Sequence, residues 1–199
     1  MKRPLTFLLL VVATLTSSAD VKLPAIFSEH MVLQQKHNNP VWGWADPGEK
    51  ITVLIGQENK TTTADKDGNW RVTLDPLPAG GPHKMVVKGK SILTFNDVLV
   101  GEVWLCSGGS NMKFAAQNAN NAHIEGLTAK FPNLRIITIP NVGTQEAQQD
   151  FEGKWEAINF ESVRMFSAVG YFFGRILHQS LDVPVGLINN SWSGSSAEA

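Results

Sequence analysis

Short segments of alternating apolar and polar residues, separated by turn signals, fill the chain from residue 20 to about residue 100. Residues 70–74 (WRVTL) alternate cleanly, and the Asp-Gly pair within residues 65–69 before them is typical of a hairpin turn. The segments of this kind are residues 51–55, 61–64, 70–74, 83–88 and 91–95. Short strands with a turn about every eight to twelve residues predict a β-sandwich.

After residue 100 the pattern changes to longer apolar runs that alternate with helical periodicity. Residues 162–181 predict the clearest helix, because apolar residues recur at spacings of three and four behind Ser162, a plausible N-cap. Residues 115–130 predict a weaker helix, and residues 141–158 a long loop. Apolar runs that predict strands buried on both faces are residues 103–106, 133–139 and 183–189. This rhythm predicts a parallel sheet covered by helices, so the expected fold class is α/β, a β-sandwich-like part followed by an incomplete three-layer α/β/α part.

The ends and the change of pattern suggest how the chain is divided. Residues 1–19 have a charged start, a short apolar core and small residues before Asp20, which is typical of a secretory signal peptide, with a retained membrane anchor as the alternative. We therefore expect a periplasmic or secreted protein without stable membrane insertion after cleavage. The predicted domains are residues 20–100 and residues 101–199.

Charge and cysteine content exclude some classes of function. A net charge of −1 with 18% charged residues gives no electrostatic footprint for nucleic acid. The single cysteine, Cys106, excludes an intrachain disulfide and a zinc site built from cysteines, and its apolar surroundings predict an inert buried thiol.

Candidate chemistry lies in residues 101–112, which read GEVWLCSGGSNM. An apolar strand, a glycine turn and a helix start can present a serine at the carboxyl end of a sheet, where free backbone N–H groups favour negative charge. Ser110 is then a candidate nucleophile beside oxyanion donors. The alternative is an ordinary glycine-rich turn in which Ser110 or Asn111 caps the helix. A second loop of small residues, residues 190–196, also follows a predicted strand, so both loops are expected at the edge where parallel sheets bind ligands.

The run at residues 101–112 resembles the nucleophile block of the sialate O-acetylesterase family, within the SGNH hydrolase superfamily. Residues 166–175 and 184–195 resemble later blocks of that family, and residues 27–34 and 41–45 its N-terminal β-domain. The resemblance implies hydrolysis of acetyl esters on sugars, such as sialic acids or plant-type glycans, without a metal or other cofactor. It implies that Ser110 is the nucleophile, that the N–H groups of Ser110 and Gly194 hold the oxyanion, and that Asn111 and Trp192 contact the substrate.

The chain also departs from the family pattern. Gly109 stands where the family usually has Gln, and Ser193 where it usually has Gly. No Asp-x-x-His, the family's catalytic pattern, occurs after Ser110, so we expect an N-terminal fragment with little or no esterase activity. Of the histidines that follow Ser110, a structural or solvent-facing role is expected for His178, and His123 is the alternative candidate for a base within these residues.

Two other functions stay open at this point. A non-catalytic glycan-binding protein would use the N-terminal strands, where Trp42 and Trp44 could present aromatic rings to a sugar or, alternatively, pack in the core. A surface structural module is supported only by the sandwich-like half.

Overall fold

The computed structural model describes residues 20–194. The predicted signal peptide lies outside the described residues, as do residues 195–199. Within residues 20–194 no helix combines the length and apolar character that crossing a membrane requires.

Residues 20–108 form seven strands. They are β1 (Val32–Gln34), β2 (Asn39–Trp44), β3 (Lys50–Ile55), β4 (Glu58–Thr63), β5 (Asn69–Leu74), β6 (Gly80–Lys88) and β7 (Ile92–Gly108). Strands β4, β3, β6 and β7 are antiparallel neighbours in one sheet, whereas β2 and β5 form a separate two-stranded sheet. The strand predictions at residues 51–55, 70–74 and 83–88 are confirmed, and the β-sandwich itself stays a prediction.

The later part of the chain continues the same sheet with parallel strands. Its elements are α1 (Ser110–Lys113), a 3₁₀ turn (Ala116–Asn118), α2 (Ala122–Thr128), β8 (Leu134–Thr138), β9 (Glu156–Ala157), α3 (Phe160–Met165), α4 (Ala168–Leu181) and β10 (Val185–Ser191). The sheet runs in the order β4-β3-β6-β7-β10-β8-β9, and β10 is parallel to both β7 and β8. The predicted α/β class with a parallel sheet is confirmed.

Strand β7 links the two parts of the sheet. Its first half pairs with β6 and its last residues pair with β10, so the backbone crosses residue 100 without a break. The predicted domain boundary therefore falls inside a strand, and the division into domains stays a prediction.

The long helix predicted over residues 162–181 is wrong as one element. The chain forms α3 and α4, because Phe166 adopts an extended conformation and its carbonyl accepts the Ala116 N–H at 2.9 Å. Ser162 is not an N-cap either: Asn159 caps α3, and Ser162 completes a capping box at the third position. Ser167 caps α4 by accepting the Gly170 N–H at 3.1 Å.

The weak helix predicted over residues 115–130 is likewise broken. It divides into the 3₁₀ turn and the two-turn helix α2, which begins after Asn121 in a left-handed conformation. The loop predicted over residues 141–158 contains the short strand β9, which pairs with β8.

Two apolar clusters fill the interior. One joins the N-terminal strands, and Trp155 from the later part packs into it. The other lies between α4 and the parallel strands, and contains Cys106, Phe166, Tyr171 and Leu187. Cys106 is only 4% exposed, and burial raises the pKa of its thiol, which agrees with the predicted inert role.

Candidate active site

The register of two parallel strands brings the two small-residue loops together. Ser191 at the end of β10 lies opposite Gly108 at the end of β7, and the Trp192 N–H donates to the Gly108 carbonyl at 2.9 Å. The loop with Ser110 and the loop with Gly194 therefore leave neighbouring strands at the same level of the sheet, at their carboxyl ends.

The turn after β7 exposes Ser110. Gly108 has a φ of 147°, a value that a residue with a side chain rarely adopts, and the chain reverses there into α1. The expectation that Ser110 or Asn111 caps the helix is wrong, because Gly109 is the N-cap and α1 begins at Ser110 itself. Both Ser110 and Asn111 are exposed, and no side chain within residues 20–194 hydrogen-bonds to the Ser110 hydroxyl.

Backbone N–H groups at this edge are available to an anion. The Ser110 N–H stands in the first turn of α1, where no earlier carbonyl of the helix can accept it. Gly194 is exposed with a φ of 78°. Among the described residues neither N–H has an acceptor.

A third loop, which follows β8, connects the Ser110 loop and the Gly194 loop through hydrogen bonds of Asn141. The Asn141 side chain donates to the Ser191 carbonyl at 3.0 Å, and its own oxygen accepts from the Lys113 ammonium group. Asn141 thus connects α1 with the end of β10. The buried Asn189 holds the same strand end, since its oxygen accepts the Ser191 hydroxyl at 2.7 Å and the Ser191 N–H at 3.2 Å.

Sequence reasoning missed Asn141 and Asn189. Asn141 comes three residues after the end of β8, the third parallel strand. The rule that ligands and polar clusters gather at the carboxyl ends of parallel strands would have found it. Asn189 is the last residue of the apolar run that predicts the strand at residues 183–189, and the pattern gives it no other role.

Helix α1 is supported from below by α4. The Ser167 hydroxyl, which caps α4, donates to the Met112 sulfur at 3.3 Å. One turn further, a Cβ on Gly170 would lie 3.2 Å from the Cys106 sulfur, so α4 packs closely against β7. The nucleophile turn therefore rests on a strand and a helix rather than on other loops.

Neither histidine after Ser110 lies in this loop cluster. His178 is ten residues beyond Ala168 in α4, which is about 15 Å along the helix from the end that supports α1. Its Nδ1 contacts the Val183 carbonyl at 2.7 Å. His123 packs edge-on against Phe160, with ring centroids 5.9 Å apart. The His178 contact agrees with the structural role expected for that residue.

A cleft opens beside the loop cluster. It has a volume of about 610 Å³ and includes Pro140, Val142, Gln148 and Asn190 in its lining. Asn190 directly precedes Ser191, so the cleft begins at the end of β10. Within the described residues no group of three or more His, Cys, Asp or Glu side chains is arranged to hold a metal ion.

Comparisons with known proteins found chains that are similar in sequence and in fold. The chain is 33% identical to the sialate O-acetylesterase of Mus musculus, over 96% of this chain and 39% of that protein. It is 32% identical to the sialate O-acetylesterase of Homo sapiens, over 96% of this chain and 40% of that protein. The fold matches the crystal structure of a carbohydrate acetylesterase from Xanthomonas citri with a TM-score of 0.87 and 36% identity, over 90% of this chain and 42% of that one.

No protein-family model matches the chain. The chain spans about two fifths of the length of the curated relatives that it matches. Over the part of these proteins that it spans, the chain is homologous to the sialate O-acetylesterases.

Proposed function

We propose that residues 101–194 form the nucleophile side of an esterase site that removes acetyl groups from sugars. The names of the similar proteins support the substrate class. The paired loops at the ends of β7 and β10 support the chemistry. The observation that carries the proposal is the register of Ser191 with Gly108, since an exposed serine then follows one strand and Gly194, whose N–H has no acceptor among residues 20–194, follows its neighbour.

In the proposed reaction the Ser110 oxygen attacks the acetyl carbonyl carbon and forms a tetrahedral oxyanion. The N–H groups of Ser110 and Gly194 donate to that oxygen, and collapse of the intermediate expels the sugar hydroxyl. Water then releases acetate from the acylated serine. The four-residue helix and its support by Ser167 hold the backbone at Ser110 in place before substrate arrives.

The proton of Ser110 needs a general base. His123 and His178 lie elsewhere in the described residues, so we propose that neither fills this role. The chain alone then hydrolyses acetyl esters slowly or not at all, because a serine without its base loses most of its rate acceleration.

The sugar is proposed to contact Asn111 and Trp192, which are both exposed beside Ser110. The Trp192 ring lies near the loop after β8, since a Cβ on Gly143 would be 3.8 Å from it. The cleft that begins at Asn190 gives the rest of the sugar a place next to these residues. The proposal includes export, for which residues 1–19 supply the signal.

A serine-directed fluorophosphonate tests the nucleophile without a natural substrate. With imidazole added in place of the missing base, peptide mapping after a long incubation is expected to find one adduct, on Ser110, and none in Ser110→Ala. Ser107→Ala is the matched control, because Ser107 is an exposed serine near the end of the same strand and its loss should leave the adduct unchanged. An adduct that persists in Ser110→Ala, or no adduct on the wild-type chain, would contradict the proposal.

A further inference from the structure

A second cleft lies on the outer face of the two-stranded sheet of β2 and β5. Its volume is about 650 Å³. The residues that line it are Pro40, Trp42, Gly43, Trp44, Thr63, Asp65, Asn69, Trp70, Arg71 and Gln149. The proposed esterase reaction uses none of them.

Two tryptophans share this face. Along β2, the half-buried Trp42 and Trp44 alternate with the buried Val41 and Gly43, so both indoles lie on the same face of the strand. They are two residues apart, which is about 7 Å along a strand. Trp42 also packs against the N-terminal core cluster, and its ring lies edge-on to Phe27, with ring centroids 4.8 Å apart. Within the described chain Trp44 has no such ring partner, so its indole is the freer surface of the two.

Polar groups flank both indoles. Arg71 lies directly opposite Trp42 on the neighbouring strand, and Asn69 lies opposite Trp44. Residues directly opposite in an antiparallel pair point to the same face, so each indole has a hydrogen-bonding neighbour. Arg71 is exposed and pairs with no carboxylate among the described residues.

The charges of the cleft balance. Asp65 supplies a carboxylate, and the N–H groups of Asn69 and Asp67 lower the pKa of that carboxyl, so it is ionised at neutral pH together with the Arg71 guanidinium. One positive and one negative group among amides and a hydroxyl favour a neutral ligand with many hydroxyl groups over an anion.

We propose that the cleft binds a neutral chain of pyranose sugars. The apolar C–H face of a pyranose packs on an indole, while its hydroxyls bond to Arg71, Asn69 and Asp65. The proposal does not depend on the reaction of Ser110. The two clefts border one loop, since Gln148 lines the cleft beside β10 and Gln149 lines this one.

Affinity electrophoresis of the whole chain in native gels tests the proposal. The gels contain one soluble polysaccharide each: arabinoxylan, glucomannan or galactan as neutral chains, and polygalacturonate as an acidic one. We expect at least one neutral chain to retard the protein. For that polymer, Trp44→Ala and Arg71→Gln should each weaken binding at least tenfold, and Ser110→Ala should leave it unchanged.

Trp104→Ala is the matched control, because Trp104 is a 43% exposed tryptophan on β7 outside this cleft and its loss should not change retardation. Thermal melting of each variant separates lost binding from lost folding. A Trp44→Ala variant that melts like the wild type and is retarded equally would overturn the proposal. So would retardation by polygalacturonate alone, or by no polymer.

Discussion

Residues 20–100 and residues 101–194 enclose their apolar side chains to different degrees. Among the described residues thirteen large hydrophobic side chains are exposed, and twelve of them lie at or after Trp104; Ile92 is the exception. In the first region Ile51, Val53 and Leu74 are completely buried. The first region therefore completes its core almost entirely with its own residues, whereas the second leaves apolar surface in contact with water.

The open surface of the second region lies on β7 and α4. Beyond Gly101, the part of β7 that leads to Ser110 has β10 as its paired strand, and Leu105 there is 61% exposed. On the other edge of β7, the Val103 N–H donates to the side-chain oxygen of Gln34 at 2.8 Å rather than to a neighbouring strand. On α4, Ile176 is 60% exposed. Less apolar burial stabilises the second region less, so we expect it to unfold first.

The largest expected effect comes from truncating one buried leucine in each region. Leu74 and Leu187 are both completely buried, and a change of either to Ala should reduce the free energy of unfolding by about 3 kcal/mol. In urea unfolding followed by hydrogen exchange, Leu187→Ala should move only an early transition of residues 101–194. Leu74→Ala should move a later transition of residues 20–100.

The same two variants can also show that the two regions do not unfold separately. If both variants move one common transition by the same amount, the two regions unfold as one cooperative unit. The continuous strand β7 would then be the physical reason for this coupling.

The next effect concerns an ion pair that joins the regions. Asp97 on β7 contacts Arg135 on β8 at 2.7 and 3.1 Å and His30 at 2.6 Å, and the Arg135 side chain is only 6% exposed. Burial acts to raise the pKa of Asp97, but the hydrogen bonds from Arg135 and His30 outweigh it and hold the pKa below its ordinary value of 3.8.

A lowered folded-state pKa gives stability that is present above the unfolded-state pKa and is lost as the pH falls through the folded-state value. Asp97→Asn should therefore cost about 2 kcal/mol near pH 7 and flatten the acid side of the stability curve below about pH 5. Urea unfolding from pH 2 to pH 7 measures both. An equally steep acid loss in Asp97→Asn would show that other carboxyl groups control it.

The fold was predictable where the apolar residues of a segment follow a single regular spacing. Alternation identified β3 and β5, and the apolar run of residues 183–189 identified β10. The same reasoning failed for residues 162–181, because an unbroken helical period does not reveal that the backbone becomes extended at Phe166, where the carbonyl accepts the Ala116 N–H. It also treats every apolar position as core, although Ile176 is exposed.

The position of the two loops of the candidate site was predictable from the sequence. The side chains that connect those loops were less predictable. Two small-residue loops after two strands indicated a common edge, and the strand register places them there. Asn141 was hidden because its contacts to Lys113 and Ser191 join residues far apart in the sequence. The cleft beside Trp44 was hidden for a similar reason, since Arg71 and Gln149 reach it from other segments.

A smaller effect is expected at the turn that carries Ser110. An Ala side chain at Gly108 must adopt a φ of 147° and lie 3.3 Å from the Met112 side chain, which should cost about 1 kcal/mol or more and abolish the fluorophosphonate adduct. Gly109→Ala is the control, because its Cβ would meet nothing within 4 Å and its φ is −84°. Melting curves and adduct yields of the two variants should therefore differ, and equal adduct yields would show that the turn geometry does not position Ser110.

The smallest effect on stability is expected from a charge placed on the exposed surface of β7. The same change should clearly reduce self-association of the chain if copies meet through the second region. Leu105→Lys places a charge on the exposed edge of β7, where an apolar side chain stabilises little, so the free energy of unfolding should change by less than about 0.5 kcal/mol. A charge at an open edge opposes strand pairing between copies, so sedimentation velocity should show less self-association than for the wild-type chain. Ile92→Lys is the matched control, since Ile92 is 63% exposed but belongs to the region that encloses its own core. If Ile92→Lys reduces association as much as Leu105→Lys does, the open edge of the second region is not the surface through which copies meet.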